Sequence, residues 1–101
     1  MKLQDLLKDV PVLEMKADPG LEITDVVYDT RKQILPGNLF VAIKGFSFDG
    51  NSYIPAALEK GAAAIVTATK PEADIPYILV ESDRLALALI GATGTEGLPK
   101  I

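Results

Sequence analysis

Hydrophobic positions along the chain fall into short blocks whose period switches between helical and strand-like. Leu3, Leu6, Leu7 and Val10 recur at i, i+3, i+4 and i+7, which predicts an amphipathic helix over residues 2–9, ended by Pro11. Val12 to Met15 has the length of a short strand, and Asp18-Pro19-Gly20 is a turn cluster. Ile23, Val26, Val27 and Tyr28 predict a strand leading into Asp29. Pro36-Gly37 marks another turn. Leu39 to Ile43 is then a compact run of β-favouring residues, the pattern of a central strand covered on both faces.

A helix is predicted after Gly50, with Asn51 or Ser52 as its cap and Pro55 tolerated in its first turn. Ile54, Ala57 and Leu58 form its apolar face, and Gly61 is placed to end it in a left-handed conformation. Ala62 to Thr67 and Tyr77 to Val80 read as two further strands, joined by a charged loop with Pro71 and Pro76. Strand, helix, strand from Leu39 to Val66 is a βαβ unit, which demands a parallel pair with a right-handed crossover. Within Arg84 to Ala92, Leu85, Leu87 and Leu89 alternate as in a strand. The Leu and Ala content nevertheless favours a helix, capped by Ser82 or Asp83. Together these elements predict an α/β domain, a mixed sheet of about four or five strands with two or three helices.

Composition narrows the function. The 101 residues suit one domain, and a content of 49% hydrophobic and 24% charged residues is that of a folded globular chain. A net charge of −4 argues against nucleic acid as a partner, because phosphate binding needs a basic face. No run of about 18 apolar residues is present, so no membrane association by a spanning helix is expected. The N-terminus lacks the apolar core of a signal peptide, and a cytoplasmic location fits. Without cysteine there is no disulfide, thiol nucleophile or thiolate metal site. Without histidine the commonest acid–base residue near neutral pH is missing. Catalysis would rest on carboxylates, lysines or tyrosines, which favours a binding or substrate-positioning module over a self-contained enzyme.

Two polar clusters flank the Leu39–Ile43 strand. Asp29-Thr30-Arg31 reads either as a capped surface turn or as a loop whose Thr30 hydroxyl meets a ligand while Asp29 and Arg31 brace it. Gly45-Phe46-Ser47-Phe48-Asp49-Gly50-Asn51 follows a strand and opens a helix, the position where open α/β sheets bind ligands and where a helix start suits an anion. Phe46 and Phe48 either stack on a planar ring or pack at the sheet edge. The Gly91-Ala92-Thr93-Gly94-Thr95-Glu96-Gly97 segment looks like a phosphate loop but is followed by Leu98 and Pro99 where lysine and a hydroxyl residue are needed, so a C-terminal loop is expected. Glu59, Glu72, Glu81 and Glu96 show no paired spacing for acid–base work and read as solvated surface. Tyr53 and Tyr77 read as packing residues.

Several of these blocks resemble, in order, the N-terminal domain of the Mur ligases, ATP-dependent enzymes that add amino acids to UDP-N-acetylmuramoyl peptides in peptidoglycan synthesis. They are Ile23 to Arg31, Pro36 to Gly45, Asp49-Gly50, and Lys60-Gly61-Ala62-Ala63-Ala64-Ile65-Val66. The family pattern is Asp-Ser-Arg, Pro-Gly-Asp-Leu-Phe-Val-Ala, Asp-Gly and Gly-Ala-Ala-Ala. The opening Met1 to Leu7 is similar to the branch that adds a diamino acid, meso-diaminopimelate or L-lysine, to UDP-N-acetylmuramoyl-L-alanyl-D-glutamate. The branch adding D-alanyl-D-alanine shares the central motif and is the alternative; a stand-alone, non-catalytic binding module is the rival from another class.

The resemblance implies that the UDP moiety is bound by Tyr28, Thr30, Phe46, Ser47, Phe48, Asp49, Gly50 and Asn51, with Arg31 bracing the loop. Thr30 stands where the family has serine and keeps the hydroxyl, whereas Phe46 replaces a residue that is often polar. It further implies residues 1–92 as the substrate-binding domain and 93–101 as a tail toward an ATP-binding domain. No catalytic residue, metal or cofactor is expected within this chain. ATP, magnesium and the ligation chemistry, an acyl phosphate attacked by an amine, would belong to the central and C-terminal domains of the parent enzyme.

Overall fold

Unbroken apolar runs such as Leu39 to Ala42 and Ala64 to Val66 require cover on both faces of a sheet, and helices supply it on both sides. A computed structural model describes residues 1–28, 33–44 and 50–94 of the chain, excluding the side chains of 92–94. In chain order it contains α1 (Leu3–Leu6), β1 (Val12–Lys16), β2 (Asp25–Val27) and β3 (Asn38–Val41). A 3₁₀ turn (Gly50–Tyr53) leads into α2 (Ile54–Glu59), followed by β4 (Ala64–Thr67), β5 (Tyr77–Val80) and α3 (Asp83–Gly94). The five strands among the described residues form one mixed sheet in the order β1-β5-β4-β3-β2. β2 to β5 are mutually parallel where they pair, and β1 runs antiparallel to β5 at one edge.

Alternation along the strands divides the core in two. Leu39, Val41, Ala64, Val66, Ile78 and Val80 face α1 and α3, whose Leu3, Leu6, Ala86 and Ile90 complete that layer. Phe40, Ala42 and Ile65 point the other way, onto Ile54 and Ala57 of α2. Every residue of β3 and β4 is buried, so a one-residue slip would exchange whole side-chain sets between unlike layers. The parallel β3–α2–β4 unit matches the sequence expectation, although β4 holds the middle of the sheet and β3 lies beside it.

The turn before β3 is held by a side chain. Asn38, only 2% exposed, accepts the Leu35 N–H on Oδ1 at 2.8 Å and donates from Nδ2 to Thr24 Oγ1 at 3.0 Å. Gly61 ends the α2 segment with φ 107°, and its carbonyl accepts the Gly37 N–H at 3.0 Å, tying the two turns together.

Three local expectations change. α1 closes after four residues rather than spanning 2–9, because the chain turns at Leu7. The cap expected from Asn51 or Ser52 is replaced by a 3₁₀ entry: the α2 N-cap is Tyr53, without a side-chain cap bond. The helix expected over Arg84 to Ala92 extends further, so that Thr93 and Gly94, expected as loop, are helical, with Ile90 buried against the sheet. Residues 95–101 lie outside the described residues.

Candidate functional site

Because β2, β3, β4 and β5 are parallel, their C-terminal ends share one edge of the sheet, the side on which α/β folds place ligands. Tyr28, Lys44, Thr67 to Thr69 and Glu81 to Asp83 leave the strands there. Tyr28 is 54% exposed just past β2, so its ring is accessible from solvent.

Gly50 returns the chain to this edge against the end of β3. It is buried, and its N–H donates to the Ile43 carbonyl at 2.9 Å. A Cβ there would lie 2.8 Å from both Ile43 N and Ile43 O, so only glycine permits the approach. The Gly50 amide is therefore committed to Ile43, not presented to an anion as the helix-start argument implied. That argument also loses its helix, because α2 has six residues and begins at Ile54. Asn51 is half-buried, and its Oδ1 accepts the hydroxyl of Thr67, a side chain with no exposure at the last position of β4. Lys44 N–H donates to Asp83 Oδ2 at 3.0 Å, joining the end of β3 to the first turn of α3.

Tyr53 closes the other side of the 3₁₀ turn. Its ring lies 5.6 Å from that of Phe40 at 51°, and Lys60 Nζ stands 5.9 Å from its centroid. This is the packing role expected for Tyr53. Tyr77 is likewise buried, with its hydroxyl donating to Glu14 across the β1–β5 pair.

Of the residues expected at the site, Tyr28, Gly50 and Asn51 are thus at the C-terminal edge. Thr30 with Asp29 and Arg31, and Phe46, Ser47, Phe48 and Asp49, lie outside the described residues. Sequence reasoning passed over Thr67, and treated Asp83 only as a helix cap. Its one available signal was a polar residue closing an otherwise apolar strand. A separate cavity of about 250 Å³ lies between the start of β2 and the far end of α3, lined by Met1, Leu6, Ile23, Asp25, Ile90 and Gly91, and holds none of the expected residues. Among the described residues no three His, Cys, Asp or Glu side chains are grouped to hold a metal ion, and no helix is long and apolar enough to cross a membrane.

Layered helices over a mostly parallel sheet define an α/β domain. The chain belongs to the Mur ligase family: residues 22–93 match the family model described as "Mur ligase family, catalytic domain". It is 38% identical over 118 residues to the UDP-N-acetylmuramoyl-L-alanyl-D-glutamate–2,6-diaminopimelate ligase of Chlorobium phaeobacteroides, covering 96% of this chain and 23% of that protein. The enzyme of the same name from Bacillus licheniformis is 40% identical over 111 residues, covering 95% of this chain and 22% of the relative. Among solved structures, the UDP-N-acetylmuramoylalanyl-D-glutamyl-2,6-diaminopimelate–D-alanyl-D-alanyl ligase of Acinetobacter baumannii superposes with a TM-score of 0.75 at 26% identity, over 91% of this chain and 21% of that one. The chain therefore spans less than a quarter of the length of these relatives.

Proposed function

We propose that this chain is the substrate-anchoring domain of an ATP-dependent amino-acid ligase of peptidoglycan synthesis. It holds the UDP end of UDP-N-acetylmuramoyl-L-alanyl-D-glutamate while its parent protein adds meso-diaminopimelate or L-lysine. The observation that carries this reading is the match, over nearly the whole chain, to two ligases named for diaminopimelate addition. The likeness to a D-alanyl-D-alanyl ligase supports that branch as the second reading.

The proposed contacts are Tyr28, Thr30, Phe46, Ser47, Phe48, Asp49, Gly50 and Asn51, of which Tyr28, Gly50 and Asn51 stand at the C-terminal edge. The exposed Tyr28 offers a ring face and a hydroxyl; Gly50 contributes close backbone packing that sets where Asn51 begins. Binding a remote nucleotide gives the larger enzyme energy with which to position a distant carboxylate, so an anchoring domain aids catalysis without touching the reacting atoms.

The chain's own residues do not fit an ATP loop, since Gly91 to Gly94 are helical and Gly97 is followed by Leu98. ATP and magnesium are therefore assigned to the remaining central and C-terminal domains, in a cytoplasmic parent acting in cell-wall biogenesis, cell shape and division. The substrate domain comprises residues 1–92 and the tail toward the ATP-binding domain residues 93–101, of which Thr93 and Gly94 still belong to α3.

An amide-resolved NMR titration with UDP and with the UDP-N-acetylmuramoyl dipeptide tests the proposal. Shifts at Tyr28, Lys44 and Asn51 are expected. Shifts confined to the β1–β5 edge would overturn the site.

A further inference from the structure

We infer that Asp83 and Thr67 are positioning residues for the UDP-binding edge, setting substrate affinity through Lys44 and Asn51 without contacting the ligand; this rests on the UDP-anchoring reading above.

The chain leaves β3 through Ile43 and comes back at Gly50, where the Gly50 N–H to Ile43 carbonyl bond pinches the two ends together. Two side chains from other elements hold the chain on either side of that bond. Asp83 accepts the Lys44 N–H just outside the pinch on one side, across 39 residues of sequence. Thr67 donates to Asn51 just outside it on the other.

The Asp83 contact is not needed by the helix that supplies it. In α3 the capping role is filled by Ser82, whose Oγ accepts the Leu85 N–H at 3.2 Å, and the Ser82 carbonyl accepts the Ala86 N–H at 3.0 Å. The Asp83 carboxylate is thereby directed away from its own helix and onto the end of β3. In β4 the remaining positions, Ala64, Ile65 and Val66, are apolar and buried, and the unexposed Thr67 hydroxyl links Asn51 Oδ1 to the turn after its own strand, where it accepts the Thr69 N–H at 3.1 Å. Hydrogen bonds that involve a carboxylate, or that lie out of water, are the directional and costly ones to lose.

The experiment uses the 101-residue chain and five proteins: wild type, Asp83→Ala, Asp83→Asn, Thr67→Val and Thr67→Ser. Each is titrated with UDP-N-acetylmuramoyl-L-alanyl-D-glutamate by calorimetry, and each is melted in the same buffer. Asp83→Ala and Thr67→Val are expected to weaken binding on the order of tenfold. Asp83→Asn and Thr67→Ser, which keep an acceptor and a hydroxyl, are expected to recover affinity, with affinity failing to track melting temperature. Wild-type affinity in Asp83→Ala and Thr67→Val would overturn the inference, as would losses that follow melting temperature and are not rescued by the conservative variants. No binding by the wild type would instead overturn the UDP reading itself, and the inference with it.

Discussion

Gly50 lies on the backbone of Ile43, with its N–H 2.9 Å from the Ile43 carbonyl oxygen and space for no side chain between them. This contact closes the segment that leaves β3 at the ligand edge. Gly50→Ala puts a methyl 2.8 Å from two backbone atoms that cannot rotate away. The expected loss is about 1–3 kcal/mol, the cost of overpacking a close contact. Urea unfolding measures it, and an unchanged midpoint would show that the two strands of chain separate freely.

Gly61 and Gly91 should respond to alanine with opposite signs. Gly61 has φ 107°, and an added Cβ would meet Pro36 Cα at 2.9 Å, so Gly61→Ala is expected to destabilise by about 1 kcal/mol or more. Gly91 lies within α3 with nothing inside 4 Å of an added Cβ. Gly91→Ala is therefore expected to stabilise by roughly 0.5–1 kcal/mol. Thermal unfolding of the two variants side by side gives the comparison; a shift of the same sign in both would contradict the helical assignment of residue 91.

Asn38 should be sensitive to side-chain removal and tolerant of aspartate. Asn38→Ala leaves the Leu35 N–H and the Thr24 hydroxyl without the partner they share, at an expected cost of about 1–3 kcal/mol. Asn38→Asp retains an acceptor for Leu35, and the Thr24 hydroxyl can turn to donate to it instead of to the Pro36 carbonyl. Denaturant midpoints ranked wild type, aspartate, alanine are expected. An alanine variant as stable as wild type would remove Asn38 from this turn.

Stability should fall at both extremes of pH through the β1–β5 pair. The Tyr77 hydroxyl, donating to Glu14, holds that carboxyl below its ordinary range, with Lys70 Nζ at 3.4 Å adding to the effect. A depressed carboxylate stabilises the fold above its unfolded value of about 4.3, and the contribution is lost as pH falls through the folded value. The same bond to Glu14, followed by burial, raises Tyr77 above the usual phenol range. Its contribution is complete below about 10 and is lost as pH rises through the folded value. Glu22, paired with the N-terminus, and Asp74, paired with Lys16, are also held low and add to the acid limb only. Tyr77→Phe should therefore flatten the alkaline limb and leave part of the acid limb. A wild-type alkaline limb in that variant would refute the assignment.

Much of the architecture was legible along the chain because its signals are local. Gly61 terminates α2, and the apolar runs at β3 and β4 have the length and composition of doubly covered strands. Boundaries read less well where tertiary contacts intervene. Asn51 has the chemistry of a helix cap, yet its side chain bonds to Thr67, and α2 starts later. Gly91 and Gly94 look like loop residues, yet the buried Ile90 and Ala86 hold α3 to the sheet against their low helix propensity.

By itself the sequence determined the α/β class, the parallel β3–α2–β4 unit and the family, since each rests on residue spacing or on motifs preserved in order. Only the tertiary structure decided the strand order, the commitment of the Gly50 amide to Ile43, and the meeting of Lys44 with Asp83 and of Asn51 with Thr67. The physical reason is range: periodicity and turn chemistry act over a few neighbouring residues, whereas hydrogen bonds between distant segments exist only after the sheet has set which strand ends share an edge.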